Sequence, residues 1–197
     1  MLEEPIRDRR TKRHEATRRE IVAAAWDLAR ENGLAGVSLR DLGKRVGMQA
    51  PSLYSYFPSK AAIYDAMFGE AARAFLERLQ ALDLPLDPKR RLLSSARVFV
   101  EFCVEDPVRY QLLFQRTVPD FEPSAESYGT AIATLDLGRD LLAAAGITDG
   151  ASLDLWTALL TGIVDQQLSN DPGGQRWTRL LPDAVDMFLA HRRKGRR

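Results

Sequence analysis

A single cysteine in 197 residues excludes an intramolecular disulfide. Cys103 sits in the apolar and aromatic run Phe99, Val100, Phe102, Cys103, Val104, with no basic neighbour to activate it, so a buried structural thiol is expected. The two histidines, His14 and His191, lie near opposite ends of the chain. They leave no material for a nucleophilic triad or a His/Cys metal cluster, and the Glu-x-x-His pair of a carboxylate di-metal bundle is missing. Glycine-rich phosphate loops are also missing. No catalytic residue, metal or cofactor is therefore expected, and the chain is read as a non-enzyme. Nor does any window approach the roughly 18 uninterrupted apolar residues that span a bilayer. Met1 to Lys12 lacks the apolar core of a signal peptide, so a cytoplasmic protein without a membrane partner is expected.

Net charge is nearly absent too, at +1, but its distribution is uneven. Residues 1–60 carry twelve Lys/Arg against eight Asp/Glu, residues 61–188 eleven against nineteen, and residues 189–197 five against none. A basic head on an acidic body suggests a polyanion met by one end of the molecule. The 45% hydrophobic content is enough for a packed core, which excludes a wholly disordered chain.

Hydrophobic spacing reads as helix almost throughout. Ile21, Ala24, Ala25 and Leu28 form a stripe over residues 18–31 that Asn32-Gly33 stops. Ser38 stands at an N-cap position, and Leu39, Leu42 and Val46 follow at helical spacing until Gly47. Pro51 suits the first turn of a third helix, with Leu53, Tyr56 and Phe57 turned inward. Pro58-Ser59 ends it and caps a fourth helix from Lys60 to about Leu82. Further helices are expected near 88–105, 107–116, 123–145, 150–170 and 177–192, between proline, glycine and Asn-Asp-Pro-Gly-Gly breaks. No strand alternation competes, so the fold class is all-α. The expected organisation is a basic disordered arm (1–14), a helix-turn-helix domain (15–60), a helical regulatory and dimerisation body (61–192) and a basic tail (193–197).

Two short helices across Gly47, with apolar residues at 42, 46, 48, 53 and 56, give a helix-turn-helix over 38–57. Any packed helix pair shows similar spacing, but the surrounding residues narrow the choice. Ser38 to Met67, and above all Leu53-Tyr54-Ser55-Tyr56-Phe57-Pro58-Ser59-Lys60, resembles the DNA-binding domain of TetR-family transcriptional regulators. It departs from the family at Gly43, where alanine is usual. The resemblance implies a dimeric regulator of a double-stranded DNA operator, most often a repressor released by a small effector. A ligand-independent helix-turn-helix regulator or activator, and more remotely a helical interaction module or an enzyme, remain alternatives.

The resemblance implies that Ala50, Pro51, Ser52 and Ser55 approach bases, and that Tyr54, Tyr56 and Lys60 approach phosphates. Arg40, in the first turn of the second helix, is the stronger base reader, since a guanidinium binds guanine O6 and N7 together. Its bland alternative is a solvated ion pair with Asp41. The basic arm, Arg7, Arg9, Arg10, Lys12 and Arg13, either enters a minor groove or stays solvated. The tail Arg192, Arg193, Lys194, Arg196 and Arg197 reads more readily as solvated.

In the body, the helix over 150–170 is apolar most of the way round and requires cover on two sides. Trp156, Leu159, Leu160, Ile163 and Val164, with Trp177, Leu181, Val185 and Phe188 of the last helix, are expected at a four-helix homodimer interface. Asp106-Pro107-Val108-Arg109-Tyr110 and Trp156 to Gly162 loosely resemble one branch of the family that carries Trp-x-x-x-His-Gly, with Thr161 before the glycine in place of histidine and one more residue between it and Trp156. The wider family resemblance implies an effector cavity in the body, for which Phe99, Phe102, Cys103, Tyr110, Phe114, Phe121, Tyr128 and Trp156 are the candidate lining. An ordinary packed aromatic core is the alternative.

Overall fold

The computed structural model describes residues 6–194, with the side chains of residues 9–192. The arm and tail residues Arg7, Arg193, Lys194, Arg196 and Arg197 thus fall outside the described side chains. Nine α-helices run in chain order among the described residues: α1 (Ile6–Asn32), α2 (Leu39–Arg45), α3 (Ala50–Leu53), α4 (Lys60–Gln80), α5 (Pro88–Glu105), α6 (Pro107–Phe114), α7 (Ala125–Ala144), α8 (Gly150–Asn170) and α9 (Leu181–Lys194). Short 3₁₀ turns at Leu34–Gly36 and Thr178–Leu180 complete them, and the described residues contain no strand. None of these helices is long and apolar enough to cross a membrane.

Helix starts follow local chemistry. Asp87, Ser38 and Asp149 each accept a bond from the backbone N–H three residues on, removing one orphan donor from the first turns of α5, α2 and α8. Helix α1 corrects the sequence expectation, because it begins at Ile6 and residues 6–14 are helix, not a disordered arm. Its Arg, Lys, Glu and Ala residues are good helix formers, and a charged stretch can extend a helix that packing has already nucleated further along.

The chain packs as two units. The first, the head, joins residues 6–70 to 111–127, and the second, the body, joins 71–110 to 128–194. Packing thus draws a boundary at Glu70/Ala71, ten residues beyond the motif-based division at 60/61.

The head closes on Ile21, Ala25, Val37, Leu42, Leu53, Phe57, Ile63 and Met67, all at or near full burial. Polar ties hold its helices in place. Trp26 Nε1 donates to Glu70 at 3.0 Å, Arg45 grips Glu31 through two bonds of 2.9 and 2.7 Å, and Ser124 donates N–H and O–H to Asp65 at 2.7 and 2.9 Å. In the body, α5 is the central helix and packs on α8 and α9. Phe75 meets Phe99 and Phe102 at centroid distances of 5.7 and 4.8 Å, and Trp156 meets Phe188 at 5.0 Å.

Candidate nucleic-acid interface

The turn between α2 and α3 is built by three local features. Ser38 Oγ accepts from Asp41 N at 3.1 Å and donates to its carboxylate at 2.7 Å, fixing the start of α2. Gly47 takes φ +67°, a left-handed value that a side chain would strain. Gly43 brings α2 against the following backbone: a Cβ there would lie 2.7 Å from the Met48 carbonyl oxygen, and Met48 N–H bonds to Gly43 O at 2.8 Å. Glycine at 43 is therefore a packing requirement of this turn, which helix propensity alone does not reveal.

Helix α3 is shorter than the spacing suggested. Regular α-helix ends at Leu53, after which Tyr54, Ser55 and Tyr56 continue in i→i+3 bonds to Pro51, Ser52 and Leu53. The segment keeps its helical direction but winds tighter. Leu53 and Phe57 are 1% and 2% exposed and anchor one side. Pro51, Ser52, Tyr54 and Ser55 face solvent on the other, while Ala50 and Tyr56 are half-buried.

The remaining expected residues divide. Arg40 is exposed, and Asp41 directs its two oxygens to Ser38 and Lys44, the latter at 3.1 Å, so the Arg40 ion pair allowed by sequence is not the one that forms. The Ser38 hydroxyl bond, then the Lys44 bond, hold the Asp41 carboxyl below its ordinary pKa. Lys60 is half-buried, with Nζ 3.5 Å from Ala35 O and 5.3 Å from the Tyr64 ring centre.

Three residues near this face went unassigned by sequence reading. Gln49, at the N-cap of α3, is exposed and makes no capping bond with its amide. Arg18 donates to Tyr56 O and lies over the Phe57 ring at 4.1 Å. His14 stacks on Tyr56 at 4.7 Å. The position of Gln49 directly before Ala50 was a usable signal, whereas the partners of Arg18 and His14 lie about forty residues away in sequence.

The residues expected to line an effector cavity occupy different surroundings. Phe99, Phe102, Cys103, Tyr110 and Trp156 are buried in the body, whereas Phe114 and Phe121 belong to the head unit, where Phe121 meets Tyr64. Phe114 and Tyr128 are exposed. Tyr110 donates to Asp165 at 2.8 Å, and Arg109 donates to Phe102 O at 2.8 Å while lying 3.7 Å from the Phe102 ring centre. Burial pushes the Cys103 thiol well above its ordinary pKa, consistent with an inert thiol. Of the residues expected at a dimer interface, Trp156, Leu160, Val164, Leu181, Val185 and Phe188 are buried in the body's own core. That corrects the expectation that they jointly face a second subunit, since a helix apolar on most sides is covered first by its own neighbours. Leu159, Ile163 and Trp177 keep partial exposure.

Comparison with known proteins agrees with this geometry. Residues 21–67 match the family model of bacterial regulatory proteins, tetR family. Tetracycline repressor protein class A from transposon 1721 of Escherichia coli is 28% identical over 186 residues, covering 85% of this chain and 79% of the repressor. The HTH-type transcriptional regulator EthR of Mycobacterium tuberculosis is 37% identical over 99 residues, covering 49% of this chain and 46%, about half, of EthR. The fold is shared with the transcriptional regulator FadR of Bacillus subtilis, solved in complex with stearoyl-CoA, at TM-score 0.67 and 16% identity over 86% of this chain and 96% of FadR. It is shared too with the TetR-family transcriptional regulator PfmR of Thermus thermophilus, at TM-score 0.64 and 20% identity over 86% and 97% of the two chains. Residues 21–67, which include α2, the Gly47 turn and α3, are thus similar to the helix-turn-helix segment of tetR-family regulatory proteins, within a chain whose described residues are all-α.

Proposed function

We propose that this chain is a transcriptional regulator that binds a palindromic DNA operator as a homodimer and is released from it by a small, mainly apolar effector. The observation that carries the reading is the two-sided α3 segment, buried at Leu53 and Phe57 and solvent-facing at Pro51, Ser52, Tyr54 and Ser55. In a major groove, Ala50 and Pro51 offer apolar contact to thymine methyls, Ser52 and Ser55 offer hydroxyls, and the Tyr54 and Tyr56 hydroxyls reach phosphates. Lys60 adds a phosphate contact by turning from Ala35. Arg40 reads guanine from the start of α2, and the unused amide of Gln49 suits adenine.

Dimerisation supplies the second half-site, about 34–36 Å away in the next major groove. The surface favoured for it is made by apolar side chains that α8, the Thr178–Leu180 turn and α9 leave uncovered: Leu155, Leu159 and Ile163 with Leu180 and Met187, the last 62% exposed. Leu159→Glu is expected to convert a dimer into a monomer in analytical ultracentrifugation. An effector in the body would act by favouring one spacing of the two heads, and a coupling of about 1–3 kcal/mol weakens operator binding roughly 5- to 150-fold. FadR's stearoyl-CoA supports an apolar effector class. Repeated selection of random duplexes by the purified protein tests the reading. A palindromic consensus is expected, and failure to enrich any sequence would overturn it.

A further inference from the structure

The core-facing stripe of α1 changes character along its length. Ile21, Ala25 and Leu28 are apolar and buried. Toward the amino terminus the same stripe continues at four-residue spacing as Arg18, His14 and Arg10. Arg18 is still within the head, bonded to Tyr56 O and stacked on Phe57. One turn further, the His14 ring lies on the Tyr56 ring with centroids 4.7 Å apart and planes 24° from parallel, and Nε2 lies 3.4 Å from Ser55 O. Arg10 is one turn beyond that, about 6 Å along the axis, and is exposed. Beyond the core this stripe passes the end of the α3 segment at Ser55 and Tyr56 and then presents an exposed guanidinium, Arg10, which is chemistry suited to an anion.

We propose that Arg10 grips a backbone phosphate of the duplex flanking the groove that α3 enters, and that His14 is a positioning residue that holds the α1 extension against Tyr56. The inference rests on the DNA-binding reading above. A disordered arm would lose conformational freedom on binding, whereas a helix pinned at His14 has already been ordered by folding. The contact is to phosphate, so it adds affinity and salt dependence without base preference.

The test is the binding of the full-length protein to the duplex it selects, titrated from about 50 to 200 mM salt. Arg10→Ala is expected to lower the slope of log K against log salt by about 0.9 per protomer, which is about 3.5-fold in affinity over that range, and to leave the selected sequence unchanged. Arg19→Ala, off the stripe, is expected to leave the slope intact. His14→Ala is expected to lower the slope, and His14→Phe, which keeps a ring on Tyr56, to restore it. An unchanged slope for Arg10→Ala in a protein whose parent still selects its sequence overturns the inference and leaves the DNA-binding reading standing. An equal fall for Arg19→Ala also overturns it, because net charge alone would then be the cause. If the parent selects no duplex, both readings fall.

Discussion

The head and the body place their polar groups differently. In the head, two of the ties between elements are peripheral: the Arg45–Glu31 pair and the Asp65–Ser124 bonds are exposed. They hold α1, α2 and α4 while leaving the α3 face open. In the body, polar groups are drawn inward. Gln167 is fully buried, its amide nitrogen donating to Asp171 and its oxygen accepting from Trp177 N at 2.9 Å and Thr178 N at 3.2 Å. The lesson is that the head is organised to display a surface, and the body to lock a core around a buried amide whose nitrogen and oxygen are both bonded, even though Arg109 Nε, Trp177 Nε1 and Arg192 Nε are buried there without a partner.

Breaking the body's lock should have the largest effect. Gln167→Leu strands two backbone donors and frees the link between α8 and the 3₁₀ turn at Thr178–Leu180, so a loss of about 2–4 kcal/mol is expected in urea unfolding. Hydrogen exchange should show the loss in residues 150–190 and spare the head. The matching test in the head is Gly43→Ala. Helix propensity alone favours the alanine by up to about 1 kcal/mol. The 2.7 Å approach to the Met48 carbonyl opposes it, and a net destabilisation of about 1–2 kcal/mol is expected by the same titration. A stabilised protein would show that the turn can open without cost.

Arg40→Ala sharpens the comparison from the function side. It is expected to weaken binding to the selected duplex by about 1–3 kcal/mol and relax preference at one base pair, with the urea midpoint unchanged. The smallest effect is on pH. Asp41 in the head is held low by the Ser38 hydroxyl and Lys44, and Asp171 in the body by the Arg176 N–H and the Gln167 amide. Because both folded pKa values lie below the unfolded ones, their stabilisation is complete above about pH 4 and is lost as pH falls through the depressed values. Asp41→Asn and Asp171→Asn should each flatten the acid limb of a stability profile slightly, one reported by the head and the other by the body.

Much of this architecture was legible wherever a start or stop signal is local. Expected helices at 88–105 and 150–170 coincide with α5 and α8, because Asp87-Pro88 and Asp149 cap them. Signals fade where the deciding partner is distant. The charged stretch before Arg18 resembles a tail until His14 meets Tyr56 and Arg18 meets Tyr56 and Phe57. A helix near 123–145 is expected from its flanking breaks, but which of its sides is covered is not legible, and Tyr128, Ile132 and Leu135 of α7 are exposed. In α8, composition shows that several faces are apolar but not which one the body itself consumes.

By itself, then, the sequence determined the all-α class, the cap at Ser38, the turn at Gly47 and the type of surface that α3 presents, since each depends on chemistry within a few residues. Only the tertiary structure decided that α1 reaches back to Ile6, that Gly43 is required by the Met48 carbonyl, and that Leu159 and Ile163 keep exposure while Leu160 and Val164 do not. Those outcomes depend on which helix arrives from elsewhere in the chain to cover a given face, and spacing along one helix carries no record of that.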